Sequence, residues 1–101
     1  MYKVKETIYF SKWLSKLKDN KAKVAIFRRL KRVENGNLGD YKSITNTVKE
    51  FRFTTGPAYR IYFTIKGDEV IILLVGGDKS TQSQDIEKAK LLAKEYLWIA
   101  N

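Results

Sequence analysis

The spacing of apolar residues changes twice along this chain. Tyr2 to Glu6 alternates apolar and polar side chains, the period-two pattern of a short strand. From there the period lengthens: Phe10, Trp13, Leu14 and Leu17 recur at i, i+3, i+4 and i+7. That spacing lays one apolar stripe along a helix, with Thr7 as its N-cap. Asp19-Asn20 breaks this helix and can cap a second one, from about Lys21 to Glu34. Ala22, Ile26, Leu30 and Val33 form its core side, while Val24 and Phe27 lie off the stripe and are available for a second contact. Asn35-Gly36 closes it, so the two helices predict an antiparallel hairpin.

After a turn-rich connector over residues 35–40 the period returns to two. In the strand from Val48 to Phe53, Lys49, Phe51 and Phe53 face one way and Val48, Glu50 and Arg52 the other. Residues 54–58 make a hairpin turn. In the next strand Tyr59, Ile61, Phe63 and Ile65 alternate with Arg60, Tyr62 and Thr64. Residues 66–69 make a second turn. Val70 to Val75 is apolar on both faces, which predicts a central strand. A loop over Gly76 to Ser80 leads to a last helix, capped by Thr81 or Ser83, with Ile86, Ala89, Ala93 and Tyr96 or Leu97 in the core. Trp98 to Asn101 carries no clear pattern. The order β-α-α-β-β-β-α over residues 1–101 predicts one α+β domain. Its curved, mainly antiparallel sheet is expected to carry the helices on one face and leave the other partly exposed.

Composition narrows the chemistry. The chain has no His and no Cys. That excludes imidazole catalysis, Ser-His triads, Cys nucleophiles, disulfides and His- or thiolate-bound metals. The formal net charge is +9, which favours a polyanionic partner. The excess is local: Lys12 to Arg32 holds nine basic residues and one acid, while the remainder is near neutral. A solvated helical face is one reading of that stretch, and an electrostatic docking surface is the other. Lys21, Lys23, Arg28, Arg29, Lys31 and Arg32 are the candidate contacts to nucleic acid. The first residues resemble no signal peptide, and the longest apolar run is far too short to cross a membrane. A soluble cytoplasmic protein is the expectation.

Strand parity then assembles a site. Glu50, Arg52, Arg60, Tyr62 and Thr64 share the face expected to be open, with Asp78 and Lys79 near its rim. Arginine can hold a phosphate bidentately, tyrosine can stack under a base, and a carboxylate can take a proton. These groups suffice for RNA cleavage in which the 2′-hydroxyl attacks the neighbouring phosphate. The competing reading makes them cross-strand ion pairs on a solvated surface, worth at most about 1 kcal/mol. Gly76-Gly77-Asp78 lacks P-loop spacing and reads as a tight strand exit. Asp85 is better placed to stabilise the last helix's first turn than to bind a metal, and Trp13 reads as core.

Several runs carry a family resemblance. They are Phe10-x-x-Trp13-Leu14-x-x-Leu17-x-Asp19, Gly36-Asn37-Leu38-Gly39-Asp40-x-Lys42, Glu50-x-Arg52, Gly56-Pro57-x-Tyr59-Arg60-Ile61-Tyr62-Phe63, and Leu73-Leu74-x-Gly76-Gly77-Asp78-Lys79-Ser80-Thr81-Gln82-x-x-Asp85-Ile86. Together they resemble the HigB-like addiction-module killer proteins of the RelE/ParE toxin superfamily, over almost the whole chain. The resemblance implies the toxin of a type II toxin–antitoxin pair, monomeric when alone, which cuts mRNA on the ribosome. It implies a HigA-like helix-turn-helix antitoxin as partner, no membrane, and neither metal nor cofactor. Arg60 matches the superfamily's phosphate-contacting arginine in a Tyr-Arg strand motif. Arg52 falls near a basic residue of the preceding strand, and Lys79 near one that follows the last strand. Where such enzymes often keep a Tyr or His early in the C-terminal segment, this chain has Gln84-Asp85-Ile86. Glu50, Asp78, Lys79 or Tyr62 would have to stand in. A ParE-like inhibitor of DNA gyrase and a non-catalytic nucleic-acid-binding domain are the alternatives.

Overall fold

The computed structural model describes residues 1–54 and 56–99. Strand β1 (Lys3–Glu6) runs straight into helix α1 (Ile8–Lys16), followed by α2 (Asn20–Glu34). Strands β2 (Tyr41–Ser43), β3 (Lys49–Arg52), β4 (Arg60–Lys66) and β5 (Val70–Gly77) come next. A single 3₁₀ turn, Lys79–Thr81, then opens helix α3 (Gln82–Ile99). Ala100 and Asn101, at the end of the stretch that carries no clear pattern, lie outside the described residues.

The five strands form one sheet in the order β1-β5-β4-β3-β2. Every pairing is antiparallel except β1 with β5. That exception follows from connectivity, since a parallel pair needs a long crossover and the helices and three strands supply it. The apolar run of β5 does lie centrally, between β1 and β4. The expected caps of α1 and α2 form, whereas the last helical segment is entered through a 3₁₀ turn capped by Asp78, with Ser83 already inside α3. Thr7 accepts from the Phe10 amide at 3.1 Å, and Asp19 from the Ala22 amide at 3.0 Å. Gly36 closes α2 with φ 96°. The β4–β5 turn carries Gly67 and Asp68 at φ 60° and 59°, the paired left-handed geometry of a type I′ hairpin.

Two things differ from the sequence expectation. The short strand β2 forms at the sheet edge, inside a stretch with no periodic signal. More consequentially, the helices divide between the two faces. α1 and α2 cover Phe51, Ile61, Phe63, Ile71 and Leu73. α3 covers the other face, burying Val48, Tyr62, Ile72, Leu74 and Val75 against Ala89, Leu92 and Ala93. The face expected to be partly open is therefore roofed. The physical reason lies in β4 and β5, whose second face is too apolar to be left in water. Val24 and Phe27 find no such cover and remain about half exposed.

A bulge helps β5 serve both layers. Tyr62 pairs with Val75 but Phe63 pairs with Leu73, leaving Leu74 as the extra residue. Thr7 ties β1 to this irregularity, its amide donating to the Leu73 carbonyl and its hydroxyl to that of Leu74 at 3.0 and 2.6 Å. Beyond the bulge the two glycines mark close approaches from opposite sides. A side chain at Gly76 would overlap the Trp13 ring, and one at Gly77 would overlap Asp85 and Thr81. Tight packing of strand against both helical layers is the reason this exit has no Cβ atoms.

Candidate functional site

The register of β3 and β4 sets the site. Glu50 lies opposite Tyr62, and Arg52 opposite Arg60. Two guanidiniums facing each other across a ladder repel unless an anion sits between them. Glu50 is that anion. Its Oε1 accepts from Arg52 Nε at 3.0 Å and from Arg60 Nη1 at 2.9 Å. Its Oε2 accepts from Gln82 Nε2 at 3.1 Å, reaching over from the start of α3. The carboxylate itself is fully buried, whereas the Arg60 side chain is 14% exposed and that of Arg52 43%. The chain thus sinks one negative charge under α3 and lifts two positive charges to the end of the sheet.

Electrostatics follow this placement. Burial by itself would raise the Glu50 pKa. The Arg52 hydrogen bond, the Arg60 charge and bond, and the Gln82 bond outweigh it and hold the carboxyl below its ordinary value. Glu50 is therefore a fixed anion that positions the arginines through Oε1, while Oε2 is taken by Gln82. Tyr62 is fully buried, and its hydroxyl has no hydrogen-bond partner among the described residues. Desolvation, with the neighbouring Glu50 charge, raises its pKa well above the usual phenol value. The expectation of an exposed Tyr62 available for stacking is thus corrected: α3 covers it. Thr64 is buried on the same face.

The rim residues separate. Asp78 caps the 3₁₀ turn through the Ser80 amide at 2.8 Å and also holds the Ser80 hydroxyl. The Ser80 hydroxyl leads in lowering its pKa, assisted by backbone amides against a smaller opposing effect of burial. Its carboxylate faces its own turn. Asp85 takes a bond from the Thr81 hydroxyl, and burial raises its pKa. Lys79 is exposed, beside the turn at Pro57, whose carbonyl accepts from the Lys79 amide at 3.5 Å. Gln82, which completes the cluster, escaped sequence reasoning because a neutral amide in a helical first turn carries no distinguishing pattern.

The expected docking residues of α2 also separate. Lys21, Arg28, Lys31 and Arg32 are exposed or partly so, and Lys23 is half-buried. Arg29 instead folds inward. Its terminal amino groups donate to the Asp40 carbonyl at 3.0 Å and the Arg52 carbonyl at 3.3 Å. Its guanidinium lies 4.9 Å from the Phe53 ring centroid, and burial lowers its pKa. It joins α2 to β3 and to the connector, and is a structural residue first.

Residues 12–96 match the family described as phage-derived Gp49-like protein (DUF891). The chain belongs to that family. It is 49% identical over 92 residues to an uncharacterized protein of Haemophilus influenzae, spanning 91% of this chain and 93% of the relative. In three dimensions this Gp49-like protein resembles a chain in the crystal structure of the intact E. coli RelBE toxin–antitoxin complex. The TM-score is 0.65 at 14% identity, over 77% of this chain and 96% of the other. The fold, a mixed sheet with three helices, is therefore RelE-like. No helix among the described residues is long and apolar enough to cross a membrane.

Proposed function

We propose that this Gp49-like protein is the toxin of a type II toxin–antitoxin pair and acts as a ribosome-dependent mRNA endonuclease of HigB type. The observation that carries the reading is the pair of guanidiniums held side by side at the sheet end by one buried carboxylate. Arg60 gives Nη1 to Glu50, and Arg52 gives only Nε. Arg60 Nε is buried, so Arg60 Nη2 and the two terminal amino groups of Arg52 are the donors left for a phosphate. A preorganised pair of cations is what stabilises charge building on phosphate oxygens during 2′-hydroxyl attack. In that step the 2′-oxygen bonds to phosphorus, its proton passes to solvent, and the bond to the 5′-oxygen breaks. The Lys79 ammonium protonates the departing oxygen. The products are a 2′,3′-cyclic phosphate and a 5′-hydroxyl. The RelE-like fold and the toxin–antitoxin complex in which its structural relative occurs support an antitoxin partner, which we take to be HigA-like.

Arg60→Lys tests the assignment. The charge remains to face Glu50, so folding survives, while the planar fork is lost. We expect growth inhibition to disappear and mRNA cleavage on ribosomes, read by toeprinting, to fall about 100-fold or more. A folded Arg60→Lys variant that cuts mRNA at the wild-type rate overturns the role of Arg60. Wild-type protein that arrests growth with intact mRNA and damaged DNA overturns the nuclease reading in favour of gyrase inhibition.

A further inference from the structure

An open cleft of about 280 Å³ lies between α2 and β3. Arg28, Arg29, Arg32 and Arg52 line it, with Asp40 as its one carboxylate and Phe53 in its wall. Four arginines against one acid leave an excess of positive charge, even with the Arg52 guanidinium paired to Glu50. Arg28 and Arg32 are four residues apart on one helix face, a spacing at which like charges repel. Among the described residues, neither has a carboxylate within ion-pair distance. Arg29 forms the rigid back of the cleft, fixed by the Asp40 and Arg52 carbonyls and by the Phe51 and Phe53 rings. Arg52 belongs to both regions: its Nε is on Glu50 in the candidate active site, and the residue also lines the cleft, where its carbonyl accepts from Arg29. The two cationic regions thus meet at one residue, at the end of β3.

We propose that this cleft is a second phosphate site, holding a backbone phosphate of single-stranded RNA close along the strand to the one at Arg60. The assignment rests on the nuclease reading for its direction along the strand. Continuity with Arg52 and Arg60 selects a polymer of phosphates over an acidic protein segment, because one chain of regularly spaced anions satisfies both regions. The cleft fixes the strand, and the Arg52–Arg60 pair acts on it. The basic stretch of the sequence is then divided in function. Arg28 and Arg32 contact the substrate strand, Arg29 builds the wall, and the lysines of α1 lie outside the cleft.

The test is equilibrium binding of a fluorescent single-stranded RNA whose 2′-oxygens are methylated, so that it binds without being cut. Arg28→Gln with Arg32→Gln is expected to weaken binding about tenfold. The salt dependence of log K is expected to flatten by about 0.7, the value for one single-strand phosphate contact. Lys12→Gln with Lys16→Gln removes the same charge from exposed positions on α1 and is expected to leave the slope unchanged. Equal effects from both pairs, or none from the arginine pair, overturn the proposal. So does a polyglutamate peptide that occupies the cleft more tightly than RNA of equal charge. The uncleavable probe keeps the two readings apart. If Arg60→Lys still cuts mRNA while the arginine pair flattens the slope, the catalytic assignment fails and the cleft stands.

Discussion

The two faces of the sheet are both buried, yet they are buried by different physics. Under α1 and α2 the layer is built mainly of hydrocarbon and rings, with Phe51 and Phe63 stacked at 3.9 Å between centroids and the Arg29 guanidinium and Tyr59 hydroxyl bonded at its margin. Under α3 the apolar layer of Val48, Ile72, Leu74, Ala89 and Ala93 surrounds a phenol and ends in a carboxylate. The first face is held chiefly by water leaving, and the one guanidinium that reaches it, Arg29, is matched by neutral carbonyls. The second needs its charges matched, since an unpaired buried carboxylate would ionise at great cost. The chain places the arginines where α3 begins, so the face that tolerates charge is also the one that presents it. The first face sets how stable the domain is. The second makes part of that stability conditional, and the condition is the site.

The sharpest way to break this contrast is to cut each face in turn. Phe63→Ala removes a fully buried ring from the first face and should cost about 4 kcal/mol. Its cost should be the same at pH 7 and pH 4, because the stacked rings carry no titrating group of their own. Urea unfolding at the two pH values checks this. Glu50→Gln acts on the second face. It keeps the shape but leaves Arg60 without its anion, and should cost about 3 kcal/mol at neutral pH. Here the cost depends on pH. The folded-state pKa of Glu50 lies below the ordinary carboxyl value of 4.5, so the wild type holds this stability above about pH 4.5. It loses it as pH falls through the lower, folded value. The gap between wild type and Glu50→Gln should therefore close in acid, while that for Phe63→Ala stays open. A gap that is constant with pH for both variants would mean that the carboxylate contributes nothing as an anion.

The same contrast explains how much of the molecule is legible in the amino-acid pattern. The first face announces itself, because Phe51, Ile61 and Phe63 alternate with polar residues, and Phe10, Ala22, Ile26 and Val33 follow helical spacing. The RelE-like element order is legible for that reason, as is the shared parity of Glu50, Arg52 and Arg60. What period-two reasoning cannot supply is the side to which the last helix turns, since either face is within reach of a strand exit. The signal is present in Ile72, Leu74 and Tyr62, apolar or aromatic residues on a face that polar neighbours make look solvated. β2 is invisible because three residues, Tyr41-Lys42-Ser43, are too few to show a period. Arg29 looks like its neighbours on α2 because its partners are backbone carbonyls, which leave no mark in a side-chain pattern.

The smallest expected effect is the most discriminating for the site. Tyr62 belongs to the charged cluster by parity, and to the core by burial. A catalytic phenol would need its hydroxyl, and Tyr62→Phe would abolish toxicity. A buried phenol without a hydrogen-bond partner gains nothing from that hydroxyl and bears the cost of desolvating it. Tyr62→Phe should then keep its activity and gain about 1 kcal/mol of stability at neutral pH. The advantage should widen in alkali. The folded-state pKa is raised above the ordinary value of 10, so above about pH 10 the unfolded wild-type chain releases a proton that the folded chain retains. That release favours unfolding, and the phenylalanine variant is exempt from it. Unfolding of both proteins at neutral pH and just above the ordinary phenol pKa, with growth inhibition measured in parallel, reads all three expectations. A stable but inactive Tyr62→Phe would return the residue to the catalytic set and make α3 a helix that must move for the enzyme to work.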